Sequence, residues 1–439
     1  MSPTPVAEPR DRVSTSSLAV AAFSTVVEWY DFTLYLYFAT VLSRVFFGGG
    51  TGSLIATLAG FAVAYLMRPL GAVVLGHIGD RFGRRRMMLL SMALMSVAML
   101  ATAVLPTYAQ IGPAAFWILL LLRCLMAFSV GGEYTGVTAY LLEGARRERR
   151  GLTTSFASAA SEVGALLAVG VSAVTISLMS QTTLDAWGWR IPFFVGAALA
   201  GAVWIARSFM DESPEFVRQQ VSGTVPRHPL RDTLKHHRVA LLRTFAISAL
   251  ASITYYVGIV YVPAFLTSTG ALSEGNALWL STLAAVAIII VTPFAGALSD
   301  RLGRRPVLIV LAIGAASLPL AMFSLMSGGS MVLALIGALV LAFVAGGASA
   351  VGPAAAAEQF PGEGRLSGLA IGATVATTIF GGFTPFVAQL LMEGTGSALV
   401  PGAMIAVVAA CVLPVLIFMP ETAPLGSARR TSADSRKSA

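Results

Sequence analysis

The sequence predicts an all-α integral membrane protein whose twelve transmembrane helices form two halves of six. Three observations predict it. The 439-residue chain is 56% hydrophobic and only 11% charged, with a mean hydropathy of +0.80. That is more apolar surface than a soluble fold of this charge can bury. Apolar windows of bilayer-spanning length, roughly 20 residues, recur along the whole chain. The charged stretch GHIGDRFGRRR at 76–86 returns as GALSDRLGRR at 296–305, and each copy closes one window and opens the next. A loop repeated at equivalent places in two sets of windows marks a duplicated bundle.

In order, the windows fall near 18–43, 54–78, 87–106, 114–140, 152–179 and 191–210. The second set falls near 240–266, 276–298, 306–326, 331–353, 366–392 and 398–419. The expected organisation is a tail (1–17), a first bundle (18–210), a hydrophilic linker (211–239), a second bundle (240–419) and a second tail (420–439). Residues 143–150 read as a solvated loop. Lys235, His236 and His237 read as part of an amphipathic surface helix and not as a metal site, because adjacent histidines do not share a helix face. No cleavable leader is evident in 1–17, and the chain beyond Thr422 reads as polar and disordered.

Basic residues set the orientation. If both termini and the even-to-odd loops share one side, that side holds all 29 Lys and Arg except Arg44, Arg190, Arg68 and Arg123. Arg44 and Arg190 fall on the opposite side, and Arg68 and Arg123 fall inside windows. The expectation is a multi-pass protein of the cell (inner or plasma) membrane with both termini cytoplasmic. The net charge of +8 then reflects topology and not a nucleic-acid partner. The two cysteines, Cys124 and Cys411, lie in apolar windows, and no P-loop, Ser-His-Asp arrangement or cysteine cluster is present. An ATP-driven pump and a membrane hydrolase are thereby disfavoured, and no enzyme activity, cofactor or metal is expected.

An ionisable side chain inside a span is costly and marks function. The interior set is Glu28, Asp31, Arg68, Arg123, Glu133 and Glu162, all in the first half. By helical rise, Glu28 and Glu162 lie roughly 15 Å into their spans and Arg123 roughly 14 Å, near the midplane. Glu28 and Asp31 are three apart and share a helix face. Carboxylates that close cannot both ionise cheaply, so either one holds a coupled proton or an arginine holds the pair. Glu28, Asp31 and Glu133 are the proton-coupling candidates. Arg123 has no acid at i±3 or i±4, so it is assigned to a substrate carboxylate, the alternative being a fixed pair with Glu28, Asp31 or Glu162. Arg68, just before Pro69, is assigned to a structural ion pair. Glu162 is assigned to a substrate ammonium, and Tyr255 and Tyr256 offer aromatic faces to the same group. The alternatives are a protonated, lipid-shielded Glu162 and tyrosines that anchor at the interface.

The 76–86 loop carries the pattern G-x-x-x-D-R-x-G-R-[RK], and with its echo at 296–305 the chain resembles the major facilitator superfamily. VVEWYDF (26–32), GGEYTG, WGWRIPFF, DESPEF, TYYVGIVYVPAFL, GGFTP and MPETAPL resemble its metabolite–proton symporter branch. Both the proline/betaine and the citrate/tricarballylate carriers of that branch are similar. The resemblance implies alternating-access symport of protons with a small polar organic solute. A zwitterionic osmolyte or amino acid, such as betaine or proline, fits the excess of acids. A di- or tricarboxylate symporter and a proton-driven efflux carrier are the alternatives. Tyr30, within VVEWYDF, joins the substrate-binding candidates. The resemblance also implies a cytoplasmic gate formed by Gly76, Asp80, Arg81, Gly83, Arg84 and Arg85, with Gly296, Asp300, Arg301, Gly303 and Arg304 as its twin. Asp80 can bridge within its loop or accept from a helix N-terminus of the other half. The expected partners are the solute, protons and the lipid bilayer, with a monomer sufficient for function.

Overall fold

A computed structural model describes residues 14–48, 57, 60, 63–224, 229–361 and 364–423. Both tails, up to residue 13 and from residue 424, lie outside these residues, and with them the expected disorder of the C-terminal one. The first half contains α1 (Thr15–Tyr37), α2 (Met67–Phe82), α3 (Arg84–Ala103), α4 (Ala114–Gly144), α5 (Arg150–Leu178) and α6 (Arg190–Ser208). The second contains α7 (Arg238–Tyr255), α8 (Glu274–Leu302), α9 (Arg304–Ser327), α10 (Met331–Ala357), α11 (Arg365–Thr377) and α12 (Val400–Phe418). Ten helical spans among the described residues are long and apolar enough to cross a membrane on their own. The helices α1 and α2 complete the twelve: α1 carries Glu28 and Asp31, and part of the span leading into α2 lies outside the described residues.

Duplication is visible in the packing. Helix α1 packs on α5, α2 on α4, and α3 on both α4 and α6. The same pairings return six helices later, as α7 on α11, α8 on α10, and α9 on both α10 and α12. The halves meet chiefly through α2 against α11 and α5 against α8. Helices α7 and α11 continue beyond a single wide turn each, at Tyr256–Val260 and Thr378–Gly382. Wide turns of this kind leave carbonyls free and concentrate where helices bend for function.

Helix α2 ends and α3 starts at Gly83, whose φ of +110° is a left-handed conformation that a side chain resists. Gly303, between α8 and α9, has φ +108°. After each of these turns a glutamate caps the next helix. Glu212 Oε1 accepts from the Arg84 and Arg85 amides at 2.9 and 3.2 Å, and Glu421 accepts from those of Arg304 and Arg305 at 2.8 and 3.0 Å. These capping acids belong to the M-x-E-[ST] sequences at 210–213 and 419–422, a second internal repeat. Carboxylates are stabilising there because four amides at each helix start have no partner within the helix.

Both repeated loops reach across the interface. Asp80 accepts from the Leu366 and Ser367 amides at the start of α11 (3.4 and 2.8 Å) while pairing with Arg84 at 2.9 Å. Asp300 accepts from the Gly151 and Leu152 amides at the start of α5 (2.8 and 2.9 Å) while pairing with Arg304 at 2.8 Å. Gly76 and Gly296 let the helices approach closely enough for this. A Cβ on Gly296 would lie 2.6 Å from the Gly151 carbonyl oxygen, and one on Gly76 would lie 3.0 Å from the Ala370 Cβ. Arg85 donates to the Ser208 carbonyl, whereas Arg81 and Arg301 are exposed.

One reading of the loops is corrected. Glu143 is buried at the end of α4, which runs one turn further than the apolar window. Its carboxylate receives both Arg84 (3.3 Å) and, from the other half, Arg365 (3.0 Å). It is part of the junction between the halves and not of a solvated loop. The linker, for its part, carries two short helices, Pro214–Ser222 and Pro229–His236.

Candidate functional site

A cavity of about 160 Å³ lies between the halves. Helices α1, α2, α4 and α5 line one side, and α7, α10 and α11 line the other. Among the described residues, the charged side chains lining it are Glu28, Glu162 and Arg68. Hydroxyls surround them: Tyr134, Thr135 and Ser161 from the first half, and Ser248, Ser252, Thr374 and Thr377 from the second. At the end away from the repeated loops, Trp29, Phe32 and Tyr65 meet Tyr255 and Tyr256 as an aromatic roof.

Each charged residue arrives there for a local reason. Arg68 follows a break in the helix at Leu66 and precedes Pro69, which lacks the amide a continuous helix would need. Gly131 allows α4 to press against this turn: a Cβ there would sit 2.0 Å from the Arg68 carbonyl oxygen. Glu162 is buried and lines the cavity with Tyr255 of the other half. Glu28 is buried with Oε2 unpartnered among the described residues, and the neighbouring Trp29 Nε1 is likewise unpartnered. Orphaned polar atoms beside a cavity are where a ligand or a proton is accommodated.

The structure redistributes the sequence candidates. Arg123 donates to both oxygens of Asp31, at 2.8 and 3.1 Å, and both residues are buried. Its guanidinium is further enclosed by the rings of Tyr35 and Phe193. The pair lies outside the large cavity, and it lines a smaller one of about 30 Å³ together with Glu28 and Arg68. Arg68 shows the reverse. Among the described residues it has no carboxylate within ion-pair distance, and it rests instead on Tyr65 and Phe32, with centroids at 4.4 and 5.2 Å. The carboxylate pair expected of Arg68 is made instead by Arg123, the alternative the sequence left open for it, while Arg68 faces the cavity.

Two other candidates move into the packing. Glu133 pairs with Arg207 of α6, whose Nη1 lies 3.0 Å from Oε2, and also takes hydrogen bonds from Ser24 and Ser91. With every side of that carboxylate occupied, it braces α1, α3, α4 and α6 together. Tyr30 is fully buried and donates to the Pro192 carbonyl at 2.9 Å, so it is a core residue of the first half. Glu28, Glu162, Tyr255 and Tyr256 do line the cavity. Sequence reasoning missed Tyr65 and Arg207. Arg207 lies inside the 191–210 window and was legible there as an intramembrane charge, and Tyr65 opens the stretch YLMRPLGA (65–72), which resembles the symporter branch, without being picked out as a site residue.

Two duplicated bundles joined at one end around a charged cavity, built of helices long and apolar enough to cross a membrane, are the architecture of a multi-pass alternating-access transporter. Residues 18–224 match the sugar (and other) transporter family, and residues 245–439 match the major facilitator superfamily. The glycine betaine/proline/ectoine/pipecolic acid transporter of Dickeya dadantii is 31% identical over 432 residues, 95% of this chain and 86% of that one. The citrate–proton symporter of Klebsiella pneumoniae is 31% identical over 393 residues, 88% and 87% of the two chains. A solved proton:xylose symporter superposes with a TM-score of 0.77 at 20% identity, covering 93% of this chain and 96% of that one, a likeness of fold. The chain belongs to the major facilitator superfamily, as a transporter and not an enzyme.

Proposed function

We propose that the chain is a proton symporter that imports a small zwitterion of the glycine betaine or proline type. The gate loops would face the cytoplasm, as the bias of basic residues implies. Identity does not separate the substrate classes, since the betaine/proline and citrate relatives are equally similar. The observation that carries the reading is the charge content of the cavity, which among the described residues is two carboxylates and one arginine.

Arg68 presents a planar fork suited to the solute's carboxylate. Glu162 faces its ammonium, with Trp29, Tyr255 and Tyr256 supplying aromatic faces for the methylated or cyclic carbon shell. Glu28 holds the coupled proton. With zwitterion and proton aboard, Glu162 and Arg68 offset each other and the site is neutral, which a low-dielectric midplane tolerates while the halves rock. A tricarboxylate would add three negative charges against a single arginine. One chain contains the whole site, so a monomer suffices.

Binding of each half of the solute tests this assignment. Glycine betaine is compared with choline, which lacks the carboxylate, and with 3,3-dimethylbutanoate, in which a neutral carbon replaces the ammonium. Each should bind at least about tenfold more weakly, the 1.4 kcal/mol or more of a charge-assisted contact. Equal affinity of all three, or tighter binding of citrate, would overturn the zwitterion reading.

A further inference from the structure

The roof is carried by one tyrosine from each half. The hydroxyls of Tyr65 and Tyr256 lie 2.8 Å apart and both residues are buried. Arg68 Nη1 donates to the Tyr65 hydroxyl at 3.3 Å, and the guanidinium stacks on the same ring. Contact thus runs from the cavity arginine, through one hydroxyl, into the other half of the molecule. The two rings are also seated on the wide turn after α11. A Cβ on Gly382 would lie 2.8 Å from Tyr65 Cδ1, and one on Gly381 would lie 2.9 Å from Tyr256 Cε2.

We propose that Tyr65 is a positioning residue that couples carboxylate recognition at Arg68 to closure of the roof, so that a cation lacking a carboxylate binds without driving closure. This rests on the functional reading above. A ligand shifts a conformational equilibrium only by binding one state better than the other. The Tyr65–Tyr256 bond crosses between the halves, so it exists only when the roof is closed. The guanidinium is rigid within its plane but hangs on a flexible stem. A carboxylate on its cavity-facing donors fixes that plane, and with it the N–H aimed at Tyr65. A hydroxyl that accepts from a cation is polarised into a better donor, which strengthens its bond to Tyr256.

The variants Tyr65→Phe and Tyr256→Phe each delete one hydroxyl and keep the ring. In proteoliposomes, both should lower the maximal uptake rate at least about tenfold, while Tyr65→Phe binds glycine betaine within about threefold of the unaltered chain. The double variant should be no worse than either single one, because all three lack the same bond. The unaltered chain should bind choline measurably yet carry it at least about tenfold more slowly than glycine betaine, and Tyr65→Phe should close that gap.

An unchanged maximal rate in Tyr65→Phe would overturn the coupling. So would a loss of affinity as large as the loss of rate, because that places the hydroxyl in binding and not in closure. The two failures are distinguishable. If the unaltered chain takes up no zwitterion under a proton gradient, the functional reading fails and takes the coupling with it. If it does so and Tyr65→Phe matches it, the coupling alone is wrong.

Discussion

Replacing Arg68 with glutamine is expected to raise the half-saturation concentration for the zwitterion about 100-fold and leave the protein folded, whereas Arg123→Gln should leave little folded transporter. The two arginines are both intramembrane but differ in what they hold. Arg68 has no carboxylate partner among the described residues and faces the cavity. Removing it deletes a charge-assisted contact to the ligand, about 1.5–3 kcal/mol. Arg123 neutralises Asp31 through two bonds, and both residues are buried. Its loss strands a buried carboxylate, a penalty of about 3–5 kcal/mol that falls on the fold. Pairing Arg123→Gln with Asp31→Asn should therefore restore folded protein, measured as the yield of monodisperse transporter after extraction. If Arg68→Gln misfolded and Arg123→Gln folded with weakened binding, the roles of the two would be reversed.

Glu28→Gln is expected to abolish proton-driven accumulation while preserving exchange of labelled for unlabelled solute across the membrane. Glutamine keeps the shape of a protonated glutamate but cannot release or take up a proton. A site locked in the protonated form can still bind zwitterion and rock, so exchange continues, but nothing ties solute movement to the proton gradient. Glu28 is singled out because it lines the cavity and one of its oxygens is unpartnered, whereas the carboxylates of Asp31 and Glu133 are committed to Arg123 and Arg207. Accumulation against a gradient in Glu28→Gln would move the coupled proton to another residue, Glu162 being the other acid that lines the cavity among the described residues.

The architecture was legible because a membrane leaves few options. Spans must be apolar for about 20 residues, loops gather the basic residues, and the 76–86 loop advertised its copy at 296–305. The intramembrane charges of the first half were legible too, since each is costly enough to stand out. Which of them pair was not. Sequence gives the depth of Arg68 and Arg123 in their helices but not the direction each faces once α2 and α4 pack on α1. That direction decided that Asp31 would meet Arg123 and leave Arg68 to the cavity. Nothing in the sequence pairs Glu133 with Arg207, which falls among the basic residues that set the orientation although the 191–210 window holds it. Glu143 was given to solvent because apolar windows end before helices do: α4 keeps winding for one polar turn and carries Glu143 into the interface.

The central claim is that protons drive a zwitterion through this cavity. Uptake into proteoliposomes under an imposed inward proton gradient tests it most directly, with labelled glycine betaine, proline, citrate and 2-oxoglutarate offered in turn. The account predicts accumulation of betaine or proline that collapses when a protonophore is added. Accumulation of citrate or 2-oxoglutarate in their place, or zwitterion uptake indifferent to the protonophore, would contradict it.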